Sequence, residues 1–148
     1  KWPELIITEY LPGEEYTVDV FRDKGEIAVI PRLRKSIRSG ITFEAQVELR
    51  KDLIDFSKRL SEILDLDYCF GFQFKLSEEG IPKILECNPR VQGTMVVSTF
   101  AGFNMIYYAV KKALGFEINL DTLNLREVQF WRYWGGIAIE DGKFIEKI

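Results

Sequence analysis

Gln73-Phe74-Lys75-Leu76-Ser77-Glu78-Glu79-Gly80-Ile81-Pro82-Lys83-Ile84-Leu85-Glu86-Cys87-Asn88-Pro89-Arg90 reads as a β-hairpin that ends in a chemically loaded loop. Two strand-like runs, Tyr68 to Leu76 and Ile81 to Cys87, flank Ser77-Glu78-Glu79-Gly80, where the glycine supplies positive φ. Phe70, Phe72 and Phe74 share a face of the first run, which turns Gln73 to the other side. In the second run, alternation groups Ile84, Glu86 and Asn88 and sends Leu85 and Cys87 away. Pairing the runs gathers one carboxylate (Glu86) and two amide oxygens (Gln73, Asn88) on a common face. Such donors suit a hard cation: Mg²⁺ takes one or two protein ligands and keeps waters and substrate phosphates. Arg90, two positions on, is placed to reach a phosphate on that ion with its guanidinium fork. Glu86 and Asn88 also read as caps of a strand end and turn, and parity alone leaves both readings open.

Outward from the hairpin the pattern alternates between two periods. Leu5 to Tyr10 predicts a short strand stopped at Pro12-Gly13, and Glu15 to Arg22 alternates cleanly. Asp23-Lys24-Gly25 turns the chain into Glu26 to Pro31, and Ile41 to Glu48 alternates again. From Asp52 to Leu64 the spacing of Leu53, Phe56, Leu60, Ile63 and Leu64 predicts an amphipathic helix with that stripe inward. After Asn88-Pro89-Arg90 comes helical sequence, broken at Gly102 and stopped at Gly115. Strand character returns from Arg126, with Asp141-Gly142 as a turn. These elements predict an α+β fold, a largely antiparallel sheet with helices packed on one face, in a single domain over residues 1–148. Tyr107, Tyr108, Phe130, Trp131, Tyr133 and Trp134 read as core and rim packing rather than a stacking platform.

Composition narrows the chemistry. The 148 residues carry 20 basic and 23 acidic side chains, a formal net charge of −3, and no histidine. A His base, a His metal ligand and a Ser-His-Asp triad within this chain are excluded. The acidic balance argues against a nucleic-acid partner. Cys69 and Cys87 are too few for a disulfide framework or a structural zinc site, and read as free thiols of a reducing compartment. Met95 to Val110 is the most apolar stretch, but Ser98, Thr99, Gly102 and Asn104 interrupt it. Lys1-Trp2-Pro3-Glu4 has no leader-like apolar core, so a soluble cytoplasmic chain without a membrane partner is expected. Arg32-Leu33-Arg34-Lys35-Ser36-Ile37-Arg38 holds four basic residues in seven, where an even spread gives about one. It reads either as an anion site built on Arg34 and Arg38, or as an edge strand kept from aggregating by its charges.

Ile84-Leu85-Glu86-Cys87-Asn88-Pro89-Arg90 resembles the E-x-N-P-R signature of the ATP-grasp superfamily, closest to its carbamoyl-phosphate synthase large-subunit branch. Gly93, Ser98 and Ala101-Gly102-Phe103-Asn104 continue the resemblance. Glu9 to Val20 is similar to that family's hinge and following strand. The resemblance implies ATP and Mg²⁺ (or Mn²⁺) as cofactors. It places the adenine edge against the backbone of Glu9, Tyr10 and Leu11, and the ribose hydroxyls on Glu15. Glu86 bridges two metal ions in this scheme, Gln73 and Asn88 each complete one shell, and Arg90 stabilises the transferring γ-phosphoryl group. Arg34 and Arg38 then face ATP phosphates or a substrate carboxylate. The implied reaction activates a carboxylate or bicarbonate as an acyl phosphate for attack by an amine or ammonia, chemistry that needs no histidine. Glutamine at position 73 fits the carbamoyl-phosphate synthase branch. Val91-Gln92-Gly93-Thr94-Met95 lacks the histidine and acid that follow the motif in biotin carboxylases. The family's Gly-rich phosphate loop has no counterpart here, so the chain is expected to be the C-terminal portion of the fold. It would need the N-terminal part as a partner and be inactive alone. A rival from another class is a non-catalytic nucleotide-sensing or assembly module that keeps the fold.

Overall fold

A computed structural model describes residues 3–133 and 137–147. In chain order the elements are β1 (Glu15–Asp23), β2 (Glu26–Arg38), β3 (Ile41–Val47), α1 (Lys51–Ile63), β4 (Tyr68–Leu76), β5 (Pro82–Asn88), α2 (Val96–Phe100), α3 (Met105–Ala113), β6 (Gln129–Trp131), β7 (Ile137–Glu140) and β8 (Lys143–Lys147). All strands join one antiparallel sheet in the order β5-β4-β1-β2-β3-β6-β7-β8. The α+β class and the antiparallel sheet are as the sequence predicts. Among the described residues no helix is long and apolar enough to cross a membrane.

The helices divide between the two faces of the sheet instead of sharing one. Val18, Val20, Phe70, Phe72 and Phe74 point to the face covered by α1. Phe21, Ile30, Val47 and Cys69 point to the other, where Met95, Val97, Phe103 and Met105 from the α2–α3 region cover them. Both faces are apolar at this end of the sheet, so one layer of helices leaves half the core wet. Gly102 makes the break between α2 and α3, with φ of +109° and the Asn124 carbonyl 2.6 Å from where a Cβ would stand. Asn104 then caps α3 by accepting from the Tyr107 amide at 3.0 Å.

Three further expectations need correction. Leu5 to Tyr10 forms no strand: no described neighbour takes its backbone hydrogen bonds, and Leu5, Ile6 and Ile7 are 73%, 91% and 97% exposed. Helix α1 is rotated from its predicted stripe. It buries Leu53, Ser57 and Ser61, one per turn, and leaves Phe56, Ile63 and Leu64 exposed. Small serines let the helix lie close on the sheet, and Ser61 Oγ donates to the Ser57 carbonyl at 2.6 Å. Finally, β2 runs through Pro31 to Arg38, so the basic stretch belongs to the strand. The Pro31 carbonyl accepts from the Glu48 amide at 3.2 Å. The Glu48 carbonyl, which receives nothing from an imide nitrogen, accepts from the Arg50 amide at 2.8 Å, so nothing is orphaned. The aromatic assignments hold for Phe130, which is buried, while Trp134 lies outside the described residues.

Cys69 and Cys87 are both free. Burial, and then the nearby Asp19 charge, push the Cys69 thiol up to about 11, and burial also raises Cys87. Burial raises the Tyr16 phenol too, whose hydroxyl donates to Glu48 at 2.8 Å. A raised acid pKa in the folded state stabilises the fold fully below its unfolded value, and that share is lost as pH rises through the folded value. The unfolding free energy is therefore expected to fall between pH 9 and about 11, from the Cys69 values of 9.0 and about 11. Chemical denaturation across that range measures the slope, and Cys69→Ala is expected to reduce it, leaving the share that Tyr16 contributes above pH 10.

Candidate ATP and metal site

The sheet register lines up a transverse row of side chains. Glu86 on β5 is opposite Gln73 on β4, Gln73 is opposite Thr17 on β1, and Thr17 is opposite Arg32 on β2. Strands lie ~4.8 Å apart, so the row spans roughly 14 Å of backbone. One step along, Asn88 is opposite Gly71, and Gly71 is opposite Asp19. The first row and Asn88 floor a cleft of ≈ 300 Å³ that is also lined by Arg34, Arg90, Gln92, Thr94 and Arg132. The sequence grouped Ile84 with Glu86; the structure separates them. Gln73 pairs with Glu86 and Phe74 with Ile84, so Leu85 is an extra residue, a β-bulge that returns Ile84 to the phenylalanine side.

Within the cleft, Glu86, Asn88 and Arg90 form a chain of contacts. Asn88 Nδ2 donates to Glu86 Oε1 at 2.7 Å, and Arg90 Nη2 donates to Asn88 Oδ1 at 3.3 Å. Arg90 Nη1 also donates to the Val91 carbonyl at 3.1 Å. Glu86 and Arg90 are exposed, open to a ligand from the cleft. Gln73, Glu86 and Asn88 thus bring together one carboxylate and two amides in the lining of one cleft. That donor set fits Mg²⁺ with most of its shell left to water and phosphate.

Other predicted residues lie differently. Glu15 is on the cleft face but engaged, forming an ion pair with Arg34. Arg34 also donates to Thr42 Oγ1 at 2.9 Å and to the Gly40 carbonyl at 2.7 Å, which commits its guanidinium to the protein. Arg38 leaves the cleft. It stacks 4.7 Å above the Phe43 ring in a neighbouring depression of ≈ 600 Å³ that shares Arg132 with the first. Glu9 and Tyr10 sit with Pro12 at the Ser77–Glu79 turn, the opposite end of the hairpin from Glu86, around a depression of ≈ 390 Å³. Leu11 is buried. The structure therefore unites Gln73, Glu86, Asn88, Arg90 and Arg34, and sets Glu9, Tyr10, Leu11 and Arg38 apart.

Sequence reasoning missed Arg32, Asp19 and Ser98. Asp19 is 0% exposed and Arg32 1%. Arg32 donates through Nε to Asp19 Oδ2 at 2.7 Å and through Nη2 to Asp19 Oδ1 at 2.8 Å. Ser98 Oγ donates to Asp19 Oδ2 at 2.6 Å. Arg32 Nη1 is buried without a partner. The available signal was Asp19, an acid in the middle of an otherwise apolar alternating strand. Gln92 was missed as well; its Nε2 donates to the Val18 carbonyl at 3.3 Å and lies over Gly71. A Cβ on Gly71 would come within 1.5 Å of that nitrogen and 2.7 Å of the Val18 oxygen. Gly71→Ala is expected to cost about 1–3 kcal/mol by denaturant unfolding, because Gln92 and its loop must move.

No curated protein matches the chain. Among solved structures, it is similar to a biotin carboxylase from Campylobacter jejuni (TM-score 0.73, 18% identity), covering 84% of this chain and 31% of that one. It is also similar to a phosphoribosylaminoimidazole carboxylase ATPase subunit from Aquifex aeolicus (TM-score 0.68, 21% identity, 84% and 40% covered). An L-amino acid ligase from Bacillus licheniformis gives a TM-score of 0.64 at 14% identity, with 84% and 34% covered. The chain thus spans 31–40% of the lengths of these structures, and at such identities the likeness is one of fold. The family described as "ATP-grasp in the biosynthetic pathway with Ter operon" matches residues 1–130, most of the chain, and this protein belongs to that ATP-grasp family.

Proposed function

We propose that this chain forms one wall of the MgATP site of an ATP-dependent ligase. The reaction is activation of a carboxylate or bicarbonate as an acyl phosphate, which an amine or ammonia then attacks. The observation that carries this is the convergence of Gln73, Glu86, Asn88 and Arg90 on one cleft. Mg²⁺, when bound, neutralises and orients the triphosphate. Glu86 supplies the anionic ligand, and Gln73 and Asn88 supply neutral ones. Asn88 now turns its amide nitrogen to Glu86 and its oxygen to Arg90. An amide coordinates Mg²⁺ through its oxygen and not its NH₂, so for Asn88 to join Glu86 as a ligand the amide would have to turn over, which would free Arg90 Nη2 for a phosphoryl oxygen. The neutral amide at Gln73 supports the carbamoyl-phosphate synthase-like branch within this class.

The opposing wall belongs to a further polypeptide region, N-terminal in the ATP-grasp fold. The uncovered apolar segment Leu5–Ile7 supports this, since it offers backbone and side chains to a neighbour. With one wall, this chain alone is expected to bind MgADP at about 10⁻⁴ M or weaker by calorimetry. The reaction itself is tested by hydroxylamine trapping with both walls present. Carboxylate- or bicarbonate-dependent ADP release together with hydroxamate supports the ligase. Nucleotide binding with no carboxylate-dependent turnover supports the sensing or assembly module instead.

A further inference from the structure

We propose that Arg32 binds a carboxylate oxygen of the substrate through Nη1. The naming of the substrate rests on the ligase reading above; the anion site itself does not. Three observations carry it. Arg32 lines the cleft and stands in the same transverse row as Gln73 and Glu86. Its side chain is 1% exposed, yet Nη1 has no hydrogen-bond partner. Its other two nitrogens are held by Asp19, which is itself held by Ser98.

A buried charged donor left unpaired is costly, and native folds seldom retain one without a use. Here the unpaired atom belongs to a guanidinium whose Nε and Nη2 are clamped by Asp19, so Nη1 is held in place before any ligand arrives. Such a donor loses little entropy on binding and cannot deprotonate. The position also separates it from the phosphate donor. Arg90 adjoins the metal ligand Asn88 on β5, whereas Arg32 lies three strands along the row on β2. In-line transfer requires the attacking oxygen on the side of phosphorus away from the leaving group. A carboxylate held at the Arg32 end of the row would come to the phosphoryl group from the β2 side, three strands from the Asn88 strand. One of its oxygens forms the new O–P bond while the β–γ bridging P–O bond breaks and ADP departs with the electron pair. The other oxygen stays on Nη1.

The test uses this chain labelled with ¹³C,¹⁵N-arginine, with the Arg32 side-chain signals assigned by through-bond correlation from its own backbone amide. Acetate and inorganic phosphate are titrated separately, and the ligase reaction is followed independently by hydroxylamine trapping. Acetate is expected to shift the Arg32 Nη1 signals saturably. Arg32→Lys, which keeps a cation beside Asp19, is expected to bind acetate at least tenfold more weakly. Arg32 signals unmoved by acetate overturn the proposal, and so does movement by phosphate alone. The wild-type titration decides even where the lysine variant does not fold. Absence of carboxylate-dependent ADP release and of hydroxamate with both walls present, with the acetate shift intact, counts against the ligase reading and leaves the anion site standing.

Discussion

Glu86→Gln is expected to lower metal-dependent nucleotide turnover by on the order of 10³-fold, about 4 kcal/mol of lost transition-state stabilisation. Glu86 is the carboxylate of the proposed metal set, and the substitution keeps its size and its acceptor for Asn88 Nδ2. The residue is exposed on the edge strand β5, so the unfolding free energy is expected to stay within about 0.5 kcal/mol of wild type. The measurement is kcat against Mg²⁺ concentration with both walls of the site present. Near wild-type turnover at limiting Mg²⁺ would remove Glu86 from the metal site.

Asp19→Ala acts on stability instead. It leaves the Arg32 guanidinium buried with no counter-charge and takes the acceptor from Ser98 Oγ. Breaking one side of a buried pair costs about 3–5 kcal/mol, a large part of the roughly 5–15 kcal/mol that holds a typical domain folded. Denaturant unfolding reads the loss. Replacing both partners by apolar residues, Asp19→Leu with Arg32→Met, is expected to recover most of that stability, because no charge is then stranded. A double variant as unstable as Asp19→Ala would show that the pair matters through its shape rather than its charge.

The hairpin from Tyr68 to Asn88 was legible in the sequence because its chemistry follows parity: Phe70, Phe72 and Phe74 inward, and Gln73 with Glu86 and Asn88 outward. Parity failed where the backbone gains a residue, at Leu85, and no local signal marks that bulge. Periodicity placed α1 within a residue at each end but not its rotation, which is set by how closely Ser57 and Ser61 let it approach the sheet. The Arg32–Arg38 stretch was legible as a concentration of charge, but not its division into three environments. Arg32 is buried on Asp19, Arg34 is tied to Glu15, and Arg38 lies over Phe43. Alternation along β2 sends Arg32 and Arg34 to one face, but partners contributed by other strands decide what each cation does.

The strand order also sets when the site comes into being. Strands β1, β2 and β3 are joined by short turns, and Asp19 meets Arg32 across only 13 positions. Ser98 reaches the same carboxylate across 79 positions. Loop closure over the longer span carries more entropy and comes later in a folding chain. Between those events the buried charges of Asp19 and Arg32 are paired but uncovered, and β1 still waits for β4 on its free edge. The Glu86–Gln73 hairpin forms locally as well, so the proposed metal ligands and the proposed anion donor grow on separate folding units. They are united only when β4 docks on β1. A destabilised variant is therefore expected to lose ligand binding before it loses its hairpins, with amide exchange faster at the β1–β4 seam than within either hairpin.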